Sequence, residues 1–236
     1  MARTPLWKSI AIALTADIAE ARYATGDRLP TEAQLAAKFG VNRHTVRRAL
    51  AEMADQGLVH ARRGAGVFVA ARPTDYPIGR RVRFHGNVAA GGQLPAKKLL
   101  SLDARAADAR EADALALAPG DPVLVYDGLS LADGAPIALF RSTFPGERFP
   151  GLRDALSETR SVTEALARCG VADYTRQQTR ITAKQANATQ ALHLRVAEGA
   201  PILRTVGVNV DADGAPVEYG RTWFAGDRVT LTVDGA

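Results

Sequence analysis

The spacing of apolar positions changes part-way along this chain. Trp7, Ile10, Ala11, Leu14 and Ile18 recur three and four residues apart, as do Leu35 and Phe39, and then Val46, Ala49, Leu50 and Met53. At about 100° per residue each set falls on one face, which predicts three amphipathic helices. Beyond Gly57 the period shortens to apolar runs and alternation, the mark of strands. Local signals bound the helices. Thr4-Pro5 supplies a cap and a proline at the first helical position. Thr31 and Gln34 have capping-box spacing, Gly40 stops the second helix, and Asn42 caps the third. In that third helix Arg43 stands at the start, and His44, Thr45, Arg47 and Arg48 point away from the apolar stripe.

The segment GLVHARRGAGVFVA then reads as a strand, a tight turn around Gly64 and Gly66, and a second strand from Val67 to Ala70. Arg62 and Arg63 sit at its tip, beside glycines that let the backbone approach a groove or a phosphate. Charge sharpens this picture. Residues 1–81 hold 13 Lys+Arg against 7 Asp+Glu, while the rest of the chain holds 17 against 18. The basic character therefore belongs to the first third, where it would attract a polyanion. Two arginines alone would suit a solvated helix face. With a capped helix and turn before them and a basic hairpin after, they fit a helix-turn-helix with a wing, its second helix in the major groove.

PLWKSIAIAL and GDRLPTEAQLAAKFGVNRHTVRRALAEMADQGLVHARRGAGVFV resemble, without gaps, the winged helix-turn-helix of GntR-family bacterial transcription regulators. The resemblance implies that Arg43 and Arg47 read bases or hold phosphates, with His44, Thr45 and Arg48 as helix neighbours. It also implies that Gly64 enters the minor groove, and that Thr31 offers a hydroxyl and helix-start amides to a phosphate.

Residues 71–81, ARPTDYPIGRR, have two prolines and no periodicity, as a linker does. The expected division is a DNA-binding domain over 1–71, a linker over 72–81, and a second domain over 82–236. Within the second domain DALALAPGDPVLVYDGLSLADGAPIALFRSTF recurs as QALHLRVAEGAPILRTVGVNVDADGAPVEYGRTWF, about 80 residues later. Pro136 matches Pro216, and Arg141 matches Arg221. Each copy reads as helix, strand, Asp-Gly turn and return strand. Two such units, with a helix over 161–169 and the strand TRQQTRITA between them, make an antiparallel sheet with helices on one side. The fold class is α+β.

This half resembles the sensor domain of the HutC subfamily, a UTRA-type domain that shares its fold with chorismate lyase. RPTDYPIGRRVRFHGNVAAGG, KLLSL, RSTFP and QTRITA look like the phosphonate-utilisation repressors of that subfamily. The resemblance implies a homodimeric repressor of phosphonate uptake and breakdown genes, with a small anionic effector in the second domain. The candidate effector residues are Arg83, Phe84 and Asn87 of RFHGN; Ser130, Arg141, Ser142 and Arg180; Ser161 and Thr163 at a helix start; and Glu218. Strand alternation puts Arg141 and Arg221 on the face opposite Ser142 and Glu218, so not all of these can line one pocket. Sugar-phosphate sensors of the subfamily carry alternate arginines where this chain has Gly128 and Ser130. A regulator responsive to a sugar phosphate or to the histidine pathway is the alternative, and a chorismate-lyase-like enzyme a weaker one. No Ser-His-Asp, Cys-His or metal-ligand spacing supports an enzyme, and His85 and His193 lack evident partners. No catalytic residue, metal or cofactor is expected.

A single cysteine, Cys169, fits a reducing compartment. No apolar run reaches about 18 residues and no leader pattern opens the chain, so a cytoplasmic protein without membrane attachment is expected.

Overall fold

The computed structural model describes residues 5–233 except Ala21, Thr25, Arg63, Ala71, Arg72 and Val82, and without the side chain of Arg62. The chain divides into two compact units, Met1–Arg72 and Pro73–Ala236.

The first unit contains α1 (Leu6–Ala19), α2 (Glu32–Phe39), α3 (Arg43–Asp55), β1 (Val59–Arg62) and β2 (Gly66–Val69). Its core joins one stripe from each helix, with Leu14, Leu35, Val46, Ala49 and Met53 fully buried, and Val59 and Val69 closing it from the hairpin. Helix α1 begins one residue later than Thr4-Pro5 suggested, because Pro5 occupies the cap position; Thr4 lies outside the described residues. The other two starts follow the sequence. Thr31 and Gln34 form a reciprocal capping box, and Asn42 accepts from the Thr45 amide at 2.8 Å. Gly40 turns between them in the left-handed conformation (φ +64°), which costs glycine no Cβ clash.

In the second unit, β3 (Thr74–Pro77) pairs in parallel with β10 (Val229–Thr232), so part of the stretch expected as linker is a strand. Helix α4 (Phe84–Ala90) follows. The main sheet is built from β4 (Pro95–Ala106), β5 (Pro122–Ala132), β6 (Ala135–Pro145), β7 (Thr175–Gln185), β8 (Pro201–Val210) and β9 (Pro216–Ala225). It is antiparallel throughout, in the order β4-β5-β6-β9-β8-β7. Helices α5 (Ala109–Leu115) and α8 (Ala188–Leu194) cover one face. The other face is packed in part by α6 (Leu152–Thr159) and α7 (Val162–Arg168), around Tyr126, Phe144, Leu156 and Leu166.

The order is symmetric about the β6–β9 seam, and the repeat is one strand longer than the hairpins suggested. Its unit is strand–helix–strand–strand, β4-α5-β5-β6 and then β7-α8-β8-β9. Both helices open on a capping box, at Asp108 and Asn187, and both end on a non-glycine left-handed residue, Ala116 (φ 55°) and Arg195 (φ 54°). Both hairpins carry a register shift at the same place, Ser130/Leu131 and Asn209/Val210. Arg141 pairs with Arg221 across the seam.

Candidate nucleic-acid interface and ligand cavity

Helix α3 shows solvent a basic face because Val46, Ala49, Leu50 and Met53 take its other face into the core. Arg43, His44, Arg47 and Arg48 are exposed. Their commitments differ. Arg43 and His44 make no hydrogen bond or ion pair among the described residues. Arg47 is bound side-on by Glu32 of α2, with Nε donating to Oε1 at 3.0 Å and Nη2 to Oε2 at 2.8 Å. That hydrogen-bonded pair holds the Glu32 carboxyl below its ordinary range. One edge of the Arg47 fork is thereby used, and Nη1 makes no hydrogen bond among the described residues. Arg48 lies over the Trp7 ring, 4.7 Å from its centroid. Thr31 and Thr45 spend their hydroxyls on the caps, donating to Gln34 Oε1 and Asn42 Oδ1 at 2.9 Å each.

In the hairpin, Gly64 (φ +75°) and Gly66 (φ +113°) make the turn. A Cβ at Gly66 would stand 2.7 Å from Nε of Arg28. Arg28, an exposed cation bridging to Phe68 beside the wing, is a further candidate contact that pattern reading missed. Arg63 and the Arg62 side chain, expected at the wing tip, lie outside the described residues.

The second unit holds a cavity of about 660 Å³ on the sheet face that α4 and α7 overhang. Of the residues expected there, Arg83, Phe84, Ser130, Ser142, Ser161, Thr163 and Glu218 line it. Three do not. Arg141 points to the far face, where it grips Asp127 through two bonds of 2.7 Å. Arg180 is exposed on that far side, because its neighbour Thr179 takes the cavity face of β7. Asn87 turns back to donate to the Pro77 carbonyl at 3.1 Å. Arg83 lines the wall but is occupied: its Nη2 donates to Asp173 Oδ1 (2.9 Å) and the Tyr174 carbonyl (2.8 Å), and its guanidinium stacks on the Tyr174 ring at 3.7 Å. Ser161 caps α7 by accepting from the Glu164 amide, and Thr163 bonds the Tyr174 hydroxyl at 2.9 Å.

The sequence reading missed Lys97, Arg176, Asn209, Thr205, Thr222 and Thr179, which also line the cavity. Glu218, 7% exposed, accepts from Ser142 Oγ at 2.5 Å and from Asn209 Nδ2 at 2.6 Å. Asn209 in turn accepts from Arg176 Nε at 2.7 Å. This is a hydrogen-bonded chain of cation, amide and carboxylate, in which Asn209 Oδ1 and both Glu218 oxygens each have a donor. Lys97 is the contrast. Its ammonium lies among the rings of Phe140, Phe84 and Tyr126, at 4.5, 5.5 and 6.0 Å, and has no hydrogen bond or carboxylate partner among the described residues. Burial pulls it down to about 8, against the opposing charge of Glu218. Burial and the nearby Lys97 charge likewise lower His85. At Gly128 a Cβ would stand 2.5 Å from Cζ of Phe140 and 2.9 Å from the Lys98 carbonyl oxygen. The absence of an arginine there is thus steric: Phe140 fills the space.

A winged helix-turn-helix binds duplex DNA through its second helix, and here it shares a chain with a polar cavity sized for a small molecule. That combination defines a DNA-binding regulator carrying its own ligand-binding domain. Residues 6–69 match the bacterial regulatory proteins of the gntR family and residues 90–230 match the UTRA domain. The chain belongs to the GntR family, with a UTRA domain as its second part. It is 39% identical over 230 residues to an HTH-type transcriptional regulator of Rhizobium meliloti, covering 97% of this chain and 94% of that one. It is 35% identical to a probable transcriptional regulator, PhnF, of Escherichia coli, over 90% and 88% of the two chains. The crystal structure of PhnF from Mycobacterium smegmatis superposes with a TM-score of 0.69 at 27% identity, covering 96% of this chain and 99% of that one. These relatives are transcriptional regulators, and the protein is a DNA-binding transcriptional regulator, not an enzyme.

Proposed function

We propose that the protein is a homodimeric repressor of phosphonate uptake and breakdown genes, working in the cytoplasm. Its operator affinity is set by a small anionic effector, a phosphonate or a phosphate-containing metabolite, in the second unit. The observation that carries this is the cavity's lysine, set among the Phe140, Phe84 and Tyr126 rings and without a carboxylate partner among the described residues, in a chain whose relatives include regulators named PhnF. Arg43, His44 and Arg47 would contact DNA, with Arg28, Arg62, Arg63, Gly64 and Gly66 at the wing and Thr31, Thr45 and Arg48 supporting the helices. A dimer follows from the short reach of one recognition helix, since paired half-sites multiply specificity. Other relatives carry names of sugar-linked repressors, NagR and MngR, at 26% identity. The packed Phe140 over Gly128 counts against a sugar phosphate here, because it removes the space for the arginine such a ligand would need.

The test is selection of an operator from random duplexes by the full-length protein. An inverted repeat is expected. Arg43→Ala should weaken binding to it by about 1–3 kcal/mol, with dichroism unchanged. Equal binding by wild type and variant would remove Arg43 from the interface.

A further inference from the structure

The two halves of the sheet place the same three positions on the cavity face. In the second half they are Arg176, Asn209 and Glu218, directly paired across β7, β8 and β9. In the first half the same register reads Lys97, Ser130 and Ala138 across β4, β5 and β6. All six line the cavity. The cation is kept and the middle hydrogen-bonding group is kept, but the carboxylate is replaced by a methyl. In the second half Glu218 closes the chain through Asn209 to Arg176. In the first, nothing does. Ser130 is only 5% exposed and its hydroxyl has no partner among the described residues, and Lys97 has no counter-ion. Next along the same face Thr222 and Thr205, paired across β9 and β8, also carry hydroxyls without partners among the described residues. These donors open onto the cavity, and Thr179, whose hydroxyl is buried without a partner among the described residues, lines it too; a cluster of unpaired donors on a cavity wall offers a seat to an acceptor.

We infer that the anionic group of the ligand sits at Lys97 and Ser130, over Ala138, and does for Lys97 what the Glu218 carboxylate does for Asn209 and Arg176. This rests on the reading of the cavity as the effector site, and it assigns the site's residues and ligand class. The seat takes an oxyanion: one ammonium and several hydroxyls offer donors in different directions, as a tetrahedral phosphonate or phosphate accepts them. Arg83 is excluded as the main cation because Asp173 and Tyr174 already hold it. Glu218 lines the same cavity as Lys97, and each of its oxygens has accepted one hydrogen bond with room for another. The other end of the ligand therefore carries a cation. The class is a small zwitterion, an oxyanion joined by a short chain to an amine.

The experiment is calorimetry at pH 7 on the full-length protein with aminoethylphosphonate, ethylphosphonate and inorganic phosphate. Wild type should bind aminoethylphosphonate more tightly than ethylphosphonate by about tenfold, the worth of a charge-assisted bond to Glu218. Lys97→Met should weaken both by about tenfold or more, while Arg83→Met changes them less than threefold. Ala138→Glu should restore in the first half the carboxylate present in the second, and so abolish binding of all three probes, with dichroism showing the variant folded. Wild-type affinity retained in Lys97→Met, or a loss in Arg83→Met as large as in Lys97→Met, would overturn the seat while leaving an anionic effector standing. Equal affinity for the two phosphonates would overturn the zwitterion. No binding of any probe by wild type would remove the effector reading and the seat together.

Discussion

The two halves of the second unit share one architecture and differ in how their charges are settled. On the cavity face the second half is complete, with Arg176, Asn209 and Glu218 joined by hydrogen bonds, whereas the first leaves Lys97 and Ser130 open. On the opposite face the asymmetry takes another form. Arg141 and Arg221 occupy equivalent places, but Arg141 pairs with the partly exposed Asp127, while Arg221 joins Arg105 on Glu111, whose side chain has no exposure. A duplicated frame thus settles its equivalent positions differently, with a hydrogen-bonded chain at Arg176 and no hydrogen-bond partner for Lys97 among the described residues. Duplication supplies a rigid sheet, and the position where the copies diverge without compensation marks where a ligand is expected.

The largest effect expected from breaking this comparison is at Glu111. Burial alone would raise its carboxyl, but hydrogen bonds from Arg105 and the Asp108 amide, with the charges of Arg105 and Arg221, bring it to about 2. Glu111→Gln should destabilise the second unit by about 3 kcal/mol, because it removes the fully buried carboxylate that pairs Arg105 and Arg221. The equivalent surface change, Asp127→Asn, should cost about 1 kcal/mol or less. Urea melts of the two variants would measure the difference. The pH dependence has a definite sign. A carboxyl depressed in the folded state stabilises above its unfolded value and loses that contribution as pH falls through the folded one. Wild type should therefore lose stability progressively from about pH 5 down towards pH 2, and Glu111→Gln should lose less over that window.

A smaller effect is expected on the cavity face. Arg176→Met leaves Asn209 Oδ1 without its donor, at a cost of about 2 kcal/mol. Lys97→Met at the equivalent position removes a desolvated charge without a partner, and its cost should be near zero or negative. Thermal unfolding of the pair checks this. Equal destabilisation by the two substitutions would mean that Lys97 is as settled as Arg176.

How much of this was readable in advance depended on how local each signal is. The first unit was legible because the candidate contacts of its third helix, Arg43 to Arg48, lie close together in sequence, and its caps are built from residues three apart. What that reading could not supply was the division of labour among the arginines. Glu32 takes an edge of Arg47 from 15 positions away, and Trp7 takes Arg48 from the first helix. In the second unit the hairpin repeat and the α+β class were plain from ADGAP and the matched prolines. The register was not. Lys97 and Lys98 are adjacent, and only the pairing of Lys97 with Ser130 decides which faces the cavity. Extending the repeat back by one strand would have set Lys97 beside Arg176 and exposed the missing carboxylate at Ala138. Arg141 and Arg180 were drawn in by charge alone, while alternation along their strands already turned them away. Helix α6 also went unread, although Leu152, Ala155 and Leu156 have helical spacing after Gly151.

The central claim is that the cavity and the DNA-binding helices are two ends of one switch. Linkage requires that a ligand able to change operator affinity have a different affinity for free and operator-bound protein, by the same factor. The most direct measurement is fluorescence anisotropy of a selected operator titrated with the full-length protein, without aminoethylphosphonate and at a saturating concentration of it. The operator Kd should change by about tenfold or more, corresponding to the usual 1–3 kcal/mol of coupling, and Lys97→Met should need about tenfold more ligand or more for the same change. An unchanged Kd in wild type, under conditions where calorimetry records the ligand bound, would contradict the account.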